Sequence, residues 1–259
     1  MPRAFNIPTR ENVKLKRLIE SVRRDTRLWT FWRCANVMAI DRMGYSDHGP
    51  THVRIVANSA LRILRMLVAH GVVPSIVKNY NMKNEDAEVV VVLGSIFHDL
   101  GMNVSRDVHD EFSALLSFEF LDKHLRPIYN EEERAIVTSE VLHALVTHER
   151  GRKPLTVEAG VVSVADALDM EEGRARIPFE AGKVGIHSVS ALSIKQVKIE
   201  KGKEKPITIR IMMADAAGVF QIDQLLKPRI EVSGLQDYIR VTAEVTGEKE
   251  KKILEKLEI

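Results

Sequence analysis

The sequence predicts a mostly α-helical protein, a helical bundle over residues 1–184 followed by a small α+β domain over residues 185–259. Three observations carry this expectation. Apolar residues recur at spacings of three and four from Glu11 to Ser190, the period of helices with one buried stripe. Beyond about Gly185 the period drops to two, as Ile207, Ile209, Ile211 and Met213 alternate with Thr208, Arg210 and Met212. Residues that start and stop helices punctuate the first part at regular intervals.

The elements follow in order. Two segments, 11–24 and 26–40, read as helices and carry most of a local basic excess. Pro50 opens a helix to Ala69, because its missing N–H costs nothing in a first turn, and Gly71 stands just past the end. The run 89–97 is apolar all round, so it reads as a buried helix led by Asp86 and stopped at Gly101. Asp110 is expected to cap a helix over 111–126, ended by Pro127, and Asn130 with Glu133 makes a capping box for a helix reaching His148. Thr156 caps a helix expected to run to Glu172, and residues 182–185 read as the linker. In the C-terminal part, strands are expected at 193–200, 207–213 and 239–245, a helix at 217–226, and a short terminal helix over 247–259. An exposed edge at 207–213 must be covered, which makes a homodimer one expectation.

Composition narrows the function. With 45% hydrophobic and 29% charged residues the chain is not disordered, and its longest apolar stretch, nine residues, is too short to span a bilayer. The first ten residues hold no apolar run of a secretory signal, and Cys34 has no second cysteine to pair with, so a cytoplasmic location is expected. A net charge of +2 gives no reason to expect nucleic-acid binding. The distribution is informative: residues 1–40 carry +6, residues 41–180 carry −7, and eight of the nine histidines lie in that acidic middle block. Imidazole with carboxylate is the donor set that divalent transition metals prefer.

Position sharpens this. His52 lies in the first turn of its helix, and His98 and Asp99 are adjacent at the end of the buried one. A carboxylate at the edge of an apolar core is costly without a cation or donor, so Asp99 requires a partner. His109 precedes a helix, His148 sits in a last turn, and Asp166 is flanked by small and apolar residues that turn it inward. Helix ends in a bundle are able to bring these groups to one centre.

This ordered set resembles the HD superfamily of metal-dependent phosphohydrolases, whose pattern is a histidine, an adjacent His-Asp pair and a later aspartate. His52-Val53-Arg54 resembles the first element, His98-Asp99-Leu100-Gly101 the doublet, and Ala165-Asp166-Ala167-Leu168-Asp169 the closing motif. His109 and His148 match the positions that hold a second metal in the binuclear branch. The resemblance spans roughly residues 45–175. Position 102 is Met, and no Gly-Tyr-Pro follows His148, which departs from the cyclic-dinucleotide phosphodiesterase branch.

What the resemblance implies is a centre of one or two divalent ions drawn from Mn, Fe, Co, Ni and Zn. His52, His98, Asp99 and Asp166 would hold the first, and Asp99, His109 and His148 the second. The implied reaction is hydrolysis of a phosphate ester of a small molecule, a nucleotide being the expected class, by a metal-activated hydroxide. Asp99 is the central catalytic residue, with His48 reaching the site from the helix entrance. Arg54 and Arg174 are expected to hold phosphate. His143 lies five residues before His148, about 140° round the helix, so it is assigned to substrate rather than to the same ion. The same scaffold would also suit a di-iron oxygenase or a nucleotide-sensing module.

Overall fold

The computed structural model describes residues 4–173, 186–246 and 256–258. The first two helices are α1 (Val13–Arg24) and α2 (Thr26–Asn36). Each is started by a side chain that accepts an otherwise unpaired amide: Asn12 from Leu15 and Asp25 from Leu28. The helix expected to run to residue 40 is rewound after Asn36 into a π-helical stretch, Val37–Arg42. Next come α3 (Pro50–Ala69), ended by Gly71 at a positive φ, and a short α4 (Ser75–Tyr80) that the periodicity did not reveal.

Helix α5 (Asn84–Phe97) is buried from Val89 to Phe97 on every side, as its unbroken apolar run requires. It packs against α1, α3, α4, α6 (His109–Leu125), α7 (Glu131–Thr147) and α8 (Val157–Ala167). Burying each such valine or leucine stabilises the fold by about 1.5–3 kcal/mol. Asp86 lies inside the first turn of α5 rather than ahead of it, accepting the Lys83 amide at 2.9 Å. Helix α6 begins at His109, so Asp110 is also a first-turn residue and not a cap. The capping box of α7 forms as read, Glu133 N to Asn130 and Asn130 N to Glu133. Helix α8 stops at Ala167, five residues before the expected end.

The C-terminal part begins with α9 (Ile186–Leu192); the expected linker at 182–185 lies outside the described residues. Strands β1 (Ile194–Lys201), β2 (Ile207–Met213), β3 (Ile239–Val245) and β4 (Lys256–Glu258) form one sheet in the order β1-β2-β3-β4. The β1–β2 and β3–β4 pairs are antiparallel, whereas β2 and β3 run parallel. A parallel pair needs a crossover, supplied by α10 (Val219–Gln221), a π-helical stretch Ile222–Leu226 and α11 (Lys227–Val232).

Two expectations are corrected here. Residues 256–258 are extended and pair with Thr242–Glu244, so the tail is not a helix there. β2 is interior, paired on both sides within the chain, so the edge from which a dimer was argued does not exist. One apolar cluster runs without a break from the bundle to the inner face of the sheet, through Ile194, Ile209, Ile211 and Met213. No helix among the described residues is long and apolar enough to cross a membrane.

One buried acid is held at a cost. Glu140 on α7 is buried, and its Oε2 has no hydrogen-bond partner among the described residues. Burial, and then the nearby Glu158 carboxylate, push its pKa above the ordinary value. Glu158 is itself committed, accepting the Ser75 and Ile76 amides at 3.1 and 3.0 Å. An acid whose folded pKa is raised binds more protons folded than unfolded. Stability therefore falls as pH rises through the interval between the two values. Glu140→Gln is expected to raise the Tm at neutral pH by a few degrees and to lose that advantage near about pH 3, where the carboxyl is protonated in both states. Equal Tm values for the two proteins at pH 7 would remove this account.

Candidate metal centre

One end of the bundle gathers five helix ends. His52 is in the first turn of α3, His98 follows the last residue of α5, and His109 opens α6. His148 follows the last residue of α7, and Asp166 is the penultimate residue of α8. All four histidines are buried, as is Asp99.

Every one of the four imidazoles is oriented through Nδ1. His98 Nδ1 donates to the Ser95 carbonyl at 2.7 Å, His109 Nδ1 to Arg106 O at 2.8 Å, and His148 Nδ1 to Leu145 O at 2.6 Å. His52 Nδ1 donates to the Asp169 carboxylate at 2.6 Å. A carbonyl or an ionised carboxylate only accepts, so Nδ1 of His52, His98 and His148 carries a proton and, in the neutral ring, Nε2 presents a lone pair inward; His109 Nδ1 also stands 2.9 Å from Arg106 Nη1, which only donates. The Nε2 atoms converge: those of His52 and His98 are 3.0 Å apart, and those of His109 and His148 are 3.2 Å apart.

Carboxylates complete the cluster. Asp99 Oδ2 lies 3.2 Å from Nε2 of both His52 and His98, yet has no hydrogen-bond partner among the described residues. Asp166 Oδ1 is 3.2 Å from His52 Nε2 and 3.5 Å from His98 Nε2. Asp99 Oδ1 turns the other way, 3.6 Å from His109 Nε2, and Glu149 Oε2 is 3.5 Å from the same atom. Donors bound to one ion at about 2.1 Å stand about 3.0 Å apart when octahedral and about 3.4 Å when tetrahedral, which is the spacing seen here. Three sets offer converging donors: His52, His98 and Asp166; His98, Asp99 and His148; and His109, His148 and Glu149.

The electrostatics are those of a cation site. Burial opposes charge on Asp99 and Asp166. His98 and His48 outweigh it for Asp99, and Arg229 with the histidines for Asp166, so both carboxyls stay well below the usual range. Burial likewise opposes charge on His98, but Asp99 and Asp166 raise its pKa to about 9. Burial, and then repulsion by His98 and His109, push His148 down to about 3. Without an ion, a proton would thus sit between the carboxylates where positive charge is wanted.

The remaining expected residues are placed as follows. His48 is at the rim, its ring centroid 5.8 Å from that of His52 and its Nδ1 donating to Ser46 O at 2.7 Å. Arg54, two residues beyond His52, is about 200° round α3 and so on the other side of the helix. Among the described residues its side chain shows no hydrogen bond or ion pair to the cluster. His143 is also turned away, its Nε2 accepting the Leu155 amide at 3.0 Å and tying down the loop after α7. Arg174 lies outside the described residues.

Three residues escaped the sequence reading. Asp169 lies in the quoted closing motif, one turn after Asp166, and that spacing was a usable signal. Glu149 follows His148 directly and was equally visible. Arg229 was not: it reaches Asp166 from α11, sixty-three residues away.

A helical bundle whose helix ends bring four imidazoles and a set of carboxylates to one buried point has the donor set of a histidine–aspartate metal site. The chain belongs to the HD superfamily of metal-dependent phosphohydrolases, and the HD domain family matches residues 51–171, the span containing the whole cluster except His48 and Arg229. It is similar to "Uncharacterized protein MJ1020" of Methanocaldococcus jannaschii, 43% identical over 244 residues, which cover 94% of this chain and 93% of that protein. No solved structure matches the chain. HD domains bind divalent metals, and the chain has His/Asp clusters able to hold one.

Proposed function

We propose that the chain hydrolyses a phosphate ester of a small molecule, a nucleotide being the favoured class, at a centre for two divalent transition-metal ions. His52, His98, Asp99 and Asp166 would hold one ion; Asp99, His109 and His148, joined by Glu149, would hold the other. One observation supports this reading: Asp99 turns Oδ2, which has no hydrogen-bond partner among the described residues, toward Nε2 of His52 and His98 and Oδ1 toward Nε2 of His109, which lies beside that of His148. When bound, such ions lower the pKa of water and neutralise phosphoryl charge.

The chain's own residues do the rest. The Nδ1 bonds to Ser95, Leu145 and Asp169 hold His98, His148 and His52 in the ligand tautomer, and Arg106 orients His109 through the same ring nitrogen, so little reorganisation is needed on binding. His48, whose Nδ1 donates to the Ser46 carbonyl and whose ring stands beside that of His52, would move a proton or meet a phosphoryl oxygen next to the centre. Arg106, whose Nη1 stands 3.3 Å from Glu149 and whose side chain is partly exposed, would be a cation for substrate phosphate. Hydrolysis is assigned to residues 1–184, with residues 185–259 as an accessory unit.

The test is elemental analysis of protein purified without chelator, followed by a screen of nucleotide mono- and diesters with Mn(II), Co(II), Ni(II) and Zn(II). About two ions per chain and release of phosphate or of a nucleoside monophosphate are expected. A chain that takes up none of these metals would end the reading, and two irons without phosphate release would point to oxidation chemistry.

A further inference from the structure

We propose that Arg229 is a positioning residue of this centre, lent to it by the C-terminal part of the chain. The inference rests on the metal-centre reading above. Arg229 is on α11, which packs against α8. Its Nη1 donates to Asp166 Oδ2 and, at 3.4 Å, to the Ser163 carbonyl, while Nη2 stands 3.4 Å from Glu149 Oε1. Each of these carboxylates has its other oxygen on the cluster: Asp166 Oδ1 faces His52 and His98, and Glu149 Oε2 faces His109. One guanidinium therefore holds the outer oxygens of two carboxylates whose inner oxygens serve opposite halves of the centre.

The chemistry suits arginine and no other side chain. Its planar fork spans two carboxylates at once and keeps its charge when buried, whereas a lysine ammonium is a single point. With only about a tenth of its side chain exposed, Arg229 is itself stabilised by the two acids, so neither partner is left as an uncompensated charge. Burial opposes its charge, but Asp166 and Glu149 outweigh that and raise its pKa further.

The fold makes room for this contact. A Cβ on Gly160 of α8 would stand 2.2 Å from the backbone oxygen of Ser233, the residue that follows α11. Only glycine lets that end of α11 lie so close to α8, and Gly160 touches none of the candidate ligands. The centre is thus oriented by a residue that arrives only when the C-terminal part is docked. Groups that orient metal ligands from behind contribute about 10–100-fold in metal affinity.

The test uses the full chain with Mn(II) as probe, followed by calorimetric titration and by the electron paramagnetic resonance spectrum of the bound ion. Arg229→Gln is expected to weaken Mn(II) binding by about 10–100-fold and to broaden the spectrum, while circular dichroism shows the helices retained. Arg229→Lys should recover part of the affinity. Gly160→Ala keeps every ligand and the arginine but lifts α11, and it should reproduce the Arg229→Gln defect. Wild-type affinity and spectrum in Arg229→Gln would overturn the proposal, as would a lowered Tm with unchanged Mn(II) binding in the folded protein. A wild-type chain that binds no Mn(II) would instead remove the metal-centre reading and this proposal with it.

Discussion

Asp99→Ala is expected to empty the whole centre, reducing bound metal from about two ions per chain to none and phosphohydrolase activity by more than about 10³-fold. The expectation follows from geometry. Among the described residues Asp99 is the one side chain with an oxygen on each half of the cluster, Oδ2 at 3.2 Å from His52 and His98 and Oδ1 at 3.6 Å from His109. Removing a ligand confined to one half leaves the other half intact, so His109→Ala should retain about one ion. Removing Asp99 takes the anionic charge from both. Asp99→Asn separates charge from packing, because it keeps the volume and loses the anion; it should fail as badly as the alanine variant. Atomic absorption on the three purified variants reads the difference. Asp99→Ala retaining one tightly held ion would show that the two halves do not share this carboxylate.

Gly101→Ala should be the most destabilising single methyl in the region of the site. A Cβ there would stand 1.9 Å from the His109 carbonyl oxygen and 2.7 Å from the Ser113 amide, both backbone atoms that no side-chain rotation moves aside. The contact is also a hub. Ser113 Oγ accepts the Gly101 amide at 2.8 Å and donates to the His98 carbonyl, which fastens the start of α6 to the His98–Asp99 turn. Forcing the two backbones apart costs about 3 kcal/mol or more, roughly 6–12 °C in Tm for a chain of this size. It would also carry His109 away from His148, so metal content should fall together with stability. A Gly101→Ala protein with wild-type Tm and full metal would mean that α6 does not close on that turn as described.

Much of the bundle was legible in the sequence because its signals are local. Pro50 and Gly71 bracket α3, Asn130 with Glu133 starts α7, and the apolar run 89–97 announces the central helix. Caps and periodicity act within four residues, so they survive in the linear text. Where the reading slipped, a long-range contact had prevailed over local pattern. Residues 256–258 have helical spacing, but β3 offers an unpaired edge and takes them as a strand. The strand at 207–213 alternates as an edge strand would, yet the crossover through α11 brings β3 to its far side and buries it in the sheet.

The site divides in the same way. The residue types alone pointed to the chemistry: histidines beside aspartates at helix ends are the donors a divalent cation prefers, and their order resembles that of a metal-dependent family. Which atoms meet was decided only in three dimensions. His143 and His148 share a helix, but the turn between them sends one to the Leu155 loop and the other to the centre. Arg54 looked attractive beside His52 and is carried to the opposite face by the pitch of α3. Arg229, in a segment with no motif, reaches Asp166 because Gly160 admits the end of α11. The physical reason is range: propensity, capping and helical pitch act along the chain, whereas the pairing of a buried charge depends on whatever the folded chain brings within about 4 Å, and sequence separation does not report that distance.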